Sequence, residues 1–177
     1  MAGEPAFVAF RAQLVIPEQR QLFDYWLDKG NGRGMPGRHD LSPADIPRLL
    51  PHVSLLDVLP DDGGFRYRLA GSRLREVFDR EVTGTVINAM SEGAKPGYWF
   101  TAHERVVKSA RPVNGALRGS KQSREHLVQF WLRLPLSSCG GGVDMILGHD
   151  VCVPIGTLDL HLPGGFASAG ISTLAAG

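Results

Sequence analysis

Apolar positions recur along this chain with two different periods. Between Pro17 and Lys29, Leu22, Phe23, Trp26 and Leu27 fall at helical spacing, which predicts an α-helix with one greasy stripe. Pro17 suits the first helical position and Gly30 the stop. GNGRGMPGRHD then reads as a glycine-rich, basic loop, and Ser42 reads as the cap of a short helical piece that Pro47 limits. From His52 to Leu59 both strand faces are apolar, which predicts a buried strand. After the turn-forming Pro60–Gly64, Phe65, Tyr67 and Leu69 alternate with Arg66 and Arg68. That is a strand of period two, aromatic side inward and arginines outward, closing a β-hairpin.

Ser72 reads as the cap of a short helix bearing Leu74, Val77 and Phe78, and residues 85–95 are short and irregular. Tyr98 to Ala110 predicts a longer helix with Trp99, Ala102, His103, Val106 and Ala110 on one stripe. Three strands follow: Pro112–Arg118; Glu125–Leu136, with Val128, Phe130, Leu132 and Leu134 in phase; and Val143–Val151, with Met145, Leu147 and Val151 in phase. Hairpin-rich strands flanking central helices indicate an α+β fold, an antiparallel sheet covered on one face, with a pocket between the long helix and the sheet.

Composition adds bounds. A chain of 177 residues, 43% hydrophobic, is long enough for one domain with a core. A formal charge of +1 gives nucleic acid no bulk attraction. No apolar run is long enough for a membrane span, and Arg11 interrupts the apolar N-terminal stretch, so no secretory signal is read. Two cysteines without a CxxC pattern fit a reducing compartment. The expectation is a cytoplasmic protein. Its parts are an N-terminal helix and loop over 1–45, a domain over 46–153, and a flexible tail over 154–177.

Trp26, then MPGRHDLSPADIPRLLPHVSLLDV (Met35–Val58), then FRYRLAGSRLREVFDREVTG (Phe65–Gly84) carry a family resemblance. The sequence is similar to a bacterial family of PAS-like proteins that often consist of little more than this one domain. The resemblance implies a PAS-like five-stranded antiparallel sheet, its two N-terminal strands central, with helices over one face and the N-terminal helix added. It implies a sensor that binds a small ligand or a partner protein, signals through protein–protein interaction as a homodimer, and is no enzyme. The family places glycine where this chain has Asp79; a left-handed turn accepts aspartate, though less readily.

Candidate site residues follow. Trp99, His103, Val106, Val128, Phe130 and Met145 are expected to line the pocket, with Phe100 and Trp131 nearby. Phe23 and Trp26 on the N-terminal helix, with Arg66 and Arg68 on the hairpin, are the expected partner surface. His103, His126 and His149 all have inward phase. Some PAS domains hold haem through a histidine on the long helix, which makes His103 the corresponding residue here. The alternatives are that these histidines only fill the core, or that the protein is a ligand-free interaction adaptor. No cysteine stands in the Asn-Cys-Arg-Phe setting that flavin photochemistry of the light-sensing PAS type needs. No metal-ligand spacing and no catalytic motif is present: no Gly-x-Ser-x-Gly, His-Glu-x-x-His or phosphate loop. His149 and Asp150 are adjacent in a strand and face opposite sides, so they form no dyad.

Overall fold

A computed structural model describes residues 4–60, 63–89, 97–118, 125–157 and 171–173. The helices are α1 (Glu4–Gln13), α2 (Pro17–Gly30), α3 (Leu74–Phe78) and α4 (Tyr98–Ser109). The strands are β1 (Val53–Leu59), β2 (Gly64–Ala70), β3 (Val86–Ile87), β4 (Val113–Arg118), β5 (Leu127–Leu136), β6 (Met145–Pro154) and β7 (Ile171–Thr173). They form one antiparallel sheet in the order β3-β2-β1-β6-β5-β4-β7.

Five of these are the expected long strands, and β3 and β7 add only two and three residues at the margins. The centre differs from expectation. It belongs to β6, with β1 beside it, while β2 lies next to the short β3. β6 can sit there because Met145 to Asp150 are all buried. Most of the expected tail, 154–177, lies outside the described residues; within it Ile171–Thr173 pair with Val113–Gly115 of β4.

Local signals hold where backbone chemistry dictates them. Asp79 takes the left-handed conformation that ends α3 (φ 58°), and Asn31 does the same after α2 (φ 42°). The β1–β2 ladder shifts register between Leu55 and Leu56, so β2 has one extra residue, Arg68. The bulge breaks the alternation read from the sequence. Phe65 and Tyr67 point inward and are buried, but Leu69 is turned outward and 48% exposed.

Layering decides where a site can lie. α4 packs Phe100, Ala102, His103 and Val106 onto one face, here called the inner face, against Leu56, Phe65, Tyr67, Val113, Trp131 and Ile146. α1 and α2 cover much of the opposite, outer face. Phe10, Leu14, Leu22, Phe23 and Trp26 pack there on Leu132, Leu134, Leu136 and Leu147. Each such large apolar side chain contributes about 1.5–3 kcal/mol relative to exposure. This corrects one expectation. Phe23 and Trp26 are no partner surface: they are fully buried, Phe23 stacks on Trp26 with ring centroids 6.0 Å apart, and Trp26 Nε1 donates to Pro135 O at 2.8 Å. The stripe that looked available from sequence meets the chain's own β5.

Candidate functional site: a buried arginine network under the long helix

β5 presents two buried faces. Its even positions, Val128 to Leu136, face outward under α1, α2 and the segment around Ile16; its odd positions, Gln129, Trp131 and Arg133, face inward under α4. In the inward set Trp131 and Arg133 are fully buried and Gln129 is partly so. Arg133 and Asp150 are fully buried and bonded in a fork, Nη1 to Oδ2 at 2.9 Å and Nη2 to Oδ1 at 3.0 Å. Gln129 Nε2 donates to the same Asp150 Oδ1 at 3.0 Å. Arg133 Nη1 also donates to Leu132 O, and its Nε donates to His103 Nε2 at 3.0 Å. The guanidinium carbon lies 5.0 Å from the ring centre of Trp99 and 5.7 Å from that of Trp131. Two indole faces therefore add cation–π attraction where water is excluded.

Glycines make the room. A Cβ on Gly115 would lie 2.5 Å from the Trp131 indole, its cross-strand partner. A Cβ on Gly148 would lie 3.1 Å from Arg133 Nη1 and strike Ser54 Oγ. Small residues opposite Trp131 and Arg133 are what let an indole and a guanidinium lie flat against the sheet. Trp131 Nε1 in turn donates to Tyr98 OH at 3.0 Å, which ties α4 to β5.

The network sets protonation. A guanidinium only donates, so His103 Nε2 must be the acceptor and its proton sits on Nδ1. Burial, and then the Arg133 charge, hold the His103 pKa well below its ordinary value, so the ring is neutral. Burial lifts Tyr67 to about 12, with neighbouring Arg133 pulling the other way. Burial works to lower the Arg133 pKa, but Asp150 and Tyr67 outweigh it and the net shift is upward. The pair is thus charged and compensated. Chemically it is a rigid clamp between α4 and the sheet; the only proton acceptor in the set besides the carboxylate, His103 Nε2, is already filled.

The expected pocket residues are divided. Trp99, His103 and Val106 lie under α4 on the inner face. Val128 and Phe130 lie on the outer face against Ile16, and Met145 lies there with Leu55 and Leu147. The six do not line one space, because strand parity puts Val128, Phe130 and Met145 one residue out of phase with the α4 side. The histidines divide too: His103 is inside, His149 is on the outer face, and His126 is exposed. Haem does not fit His103. Its Nε2 is engaged by Arg133, and Phe65, Tyr67 and Trp99 enclose the ring at centroid distances of 5.1, 6.5 and 6.1 Å. Among the described residues no group of three or more His, Cys, Asp or Glu could hold a metal ion. A depression of about 410 Å³ lies on α4's solvent side, lined by Thr101, Glu104, Arg105, Lys108 and Ser109.

Arg66 and Arg68 do face solvent, as expected. Arg66 Nη2 and Arg68 Nε both donate to Asp57, at 3.0 and 2.7 Å, on the outer face of the β1–β2 hairpin.

Sequence comparison decides the family: residues 15–150 match the PAS domain family. The chain belongs to the PAS domain family. PAS domains are as a rule sensory and regulatory modules rather than catalysts, and the match runs from Val15 to Asp150, so α2 lies inside the matched span. No curated protein matches. Among solved structures, an RNA-binding light-oxygen-voltage receptor is similar over 66% of this chain and 34% of its own, with 17% identity and a TM-score of 0.44. This PAS chain thus spans about a third of that receptor's length. Among the described residues no helix is long and apolar enough to cross a membrane.

What the sequence reading missed is Arg133 with Asp150. The signal was there. Trp131 sits out of phase with the apolar side of β5, so both faces of that strand are buried, and a charged residue in such a strand needs an opposite charge across the ladder.

Proposed function

We propose that this chain is a sensory or regulatory PAS module that acts by protein–protein contact, as a homodimer formed across the uncovered part of the outer sheet face. The observation that carries this reading is the buried Arg133–Asp150 pair. It fills the inner face with a charge already compensated, so a ligand entering there would have to displace Asp150 or lift Trp99. Outside, β2 and β3 leave Leu69 at 48% and Val86 at 42% exposure beside Arg66 and Arg68, an apolar patch with a charged rim of the kind that interfaces use. A signalling partner protein receives the output through the same hairpin. Neither Cys139 nor Cys152 is in a disulfide, which accords with a reducing cytoplasm, and the near-neutral charge accords with a protein rather than a nucleic-acid partner.

Native mass spectrometry of freshly purified protein tests this. The expected result is a dimer without a retained small molecule, converted to monomer by Leu69→Asp. A stoichiometric small molecule that leaves on Trp99→Ala would replace this reading with that of a ligand sensor, and a dimer indifferent to Leu69→Asp would move the interface elsewhere.

A further inference from the structure

On the outer face Gln19 Nε2 and both ring nitrogens of His149 are buried without a hydrogen-bond partner among the described residues. His149 is 1% exposed. A neutral imidazole has one donor and one acceptor, and leaving either bare in the interior costs about 1–3 kcal/mol. Such a group calls for an explanation, and with both ring nitrogens bare a bound water or ion is one that accounts for the two together.

The β1–β6 register sets Val53 opposite His149 and so brings the preceding residue, His52, alongside. The two rings have centroids 5.7 Å apart and planes tilted by 32°. Two imidazoles sharing one ion through bonds of about 2.0–2.1 Å have centroids roughly 5–6 Å apart. His52 Nδ1 hydrogen-bonds Asp150 O at 2.9 Å. A carbonyl only accepts, so Nδ1 is the donor, which leaves Nε2 as the nitrogen that could ligate. A backbone carbonyl on the far nitrogen is the usual way a metal-binding histidine is oriented.

We propose that His52 and His149 form a two-histidine site for a borderline divalent ion of the Zn²⁺ class, with water completing its coordination. Neutral imidazole suits that class of ion. With only two protein ligands, and approached from the half-buried His52 side, the site is suited to responding to metal rather than to holding the fold together.

Zn²⁺ titration of the untagged full chain, by calorimetry and by thermal melting, tests the site. One Zn²⁺ per chain is expected, with a rise in Tm. His149→Leu, which suits the apolar neighbours Val53 and Leu132, keeps the fold and weakens binding by at least the ~10–100-fold that loss of even an outer-shell partner costs. His52→Gln does the same from a half-buried position. His126→Gln and Cys139→Ser, both at exposed positions, leave binding intact. Failure of the parent chain to bind Zn²⁺, or equal binding by His52→Gln and His149→Leu, overturns the proposal and leaves water as the occupant.

Discussion

The two faces of this sheet solve the same burial problem with opposite chemistry. The outer face is sealed by hydrocarbon: leucines of β5 against Phe10, Leu22, Phe23 and Trp26. The inner face, one residue out of phase on the same strand, carries a full positive charge in an equally dry place. Apolar packing tolerates local exchange, whereas a buried charge ties distant elements into a single unit. Here Arg133 on β5, Asp150 on β6, His103 and Trp99 on α4 and Trp131 on β5 stand or fall together. For a module that passes signals, that difference locates stiffness under α4 and leaves the hairpin's outer side for contact.

The contrast breaks most visibly at Asp150. Asp150→Ala leaves an uncompensated guanidinium in the interior and is expected to cost about 3–5 kcal/mol in urea unfolding, while the pair Arg133→Met with Asp150→Leu restores most of it. An outer-face truncation such as Leu134→Ala costs about 2–5 kcal/mol by opening a cavity, and changing a strand neighbour gives no comparable rescue.

Acid sharpens the comparison, because each face holds one histidine whose pKa burial depresses. The folded chain refuses protons that the unfolded chain accepts below about pH 6.5, so stability is present at neutral pH and is lost as pH falls. In metal-free buffer each histidine accounts for about 2 kcal/mol of loss between pH 7 and pH 5. His149→Leu should remove roughly half of the histidine contribution and leave the His103 half in place, measured as the difference between unfolding curves at the two pH values.

Smallest of all is the effect expected on the hairpin. Arg68→Ala removes the more exposed of two arginines on the largely buried Asp57, which Arg66 still pairs, and should change stability by about 0–1 kcal/mol. Its larger consequence should appear as a weaker dimer in sedimentation at low micromolar concentration. Equal stability loss at Arg68 and at Asp150 would erase the distinction drawn between surface and core.

Much of the fold is legible in the sequence. Helix α2 begins at Pro17 as read, the hairpin alternates as read up to the Arg68 bulge, and Asp79 takes the left-handed turn expected of it. These features follow from local chemistry: proline at a first turn, period two in a strand, a short polar side chain in a tight turn. The site was not legible in the same way. In β5 the regular apolar side was assigned to α4, but strand parity has no absolute sense, and nothing local says which helix layer covers which face. The bulge at Arg68 cost Leu69 its expected inward place for a related reason: an inserted residue has no sequence signature in a strand of alternating character. Phe23 and Trp26 were misplaced because an amphipathic helix reads alike whether its stripe meets its own sheet or another chain.

The claim on which the rest turns is that the space under α4 is a closed core organised by Arg133. A through-hydrogen-bond ¹⁵N–¹⁵N correlation spectrum of the uniformly labelled chain tests it most directly. A cross-peak between Arg133 Nε and His103 Nε2 is expected, with a slowly exchanging Arg133 Nε–H and a His103 ring protonated on Nδ1. A missing cross-peak together with a rapidly exchanging Arg133 Nε–H would show an open, wet interior and contradict it.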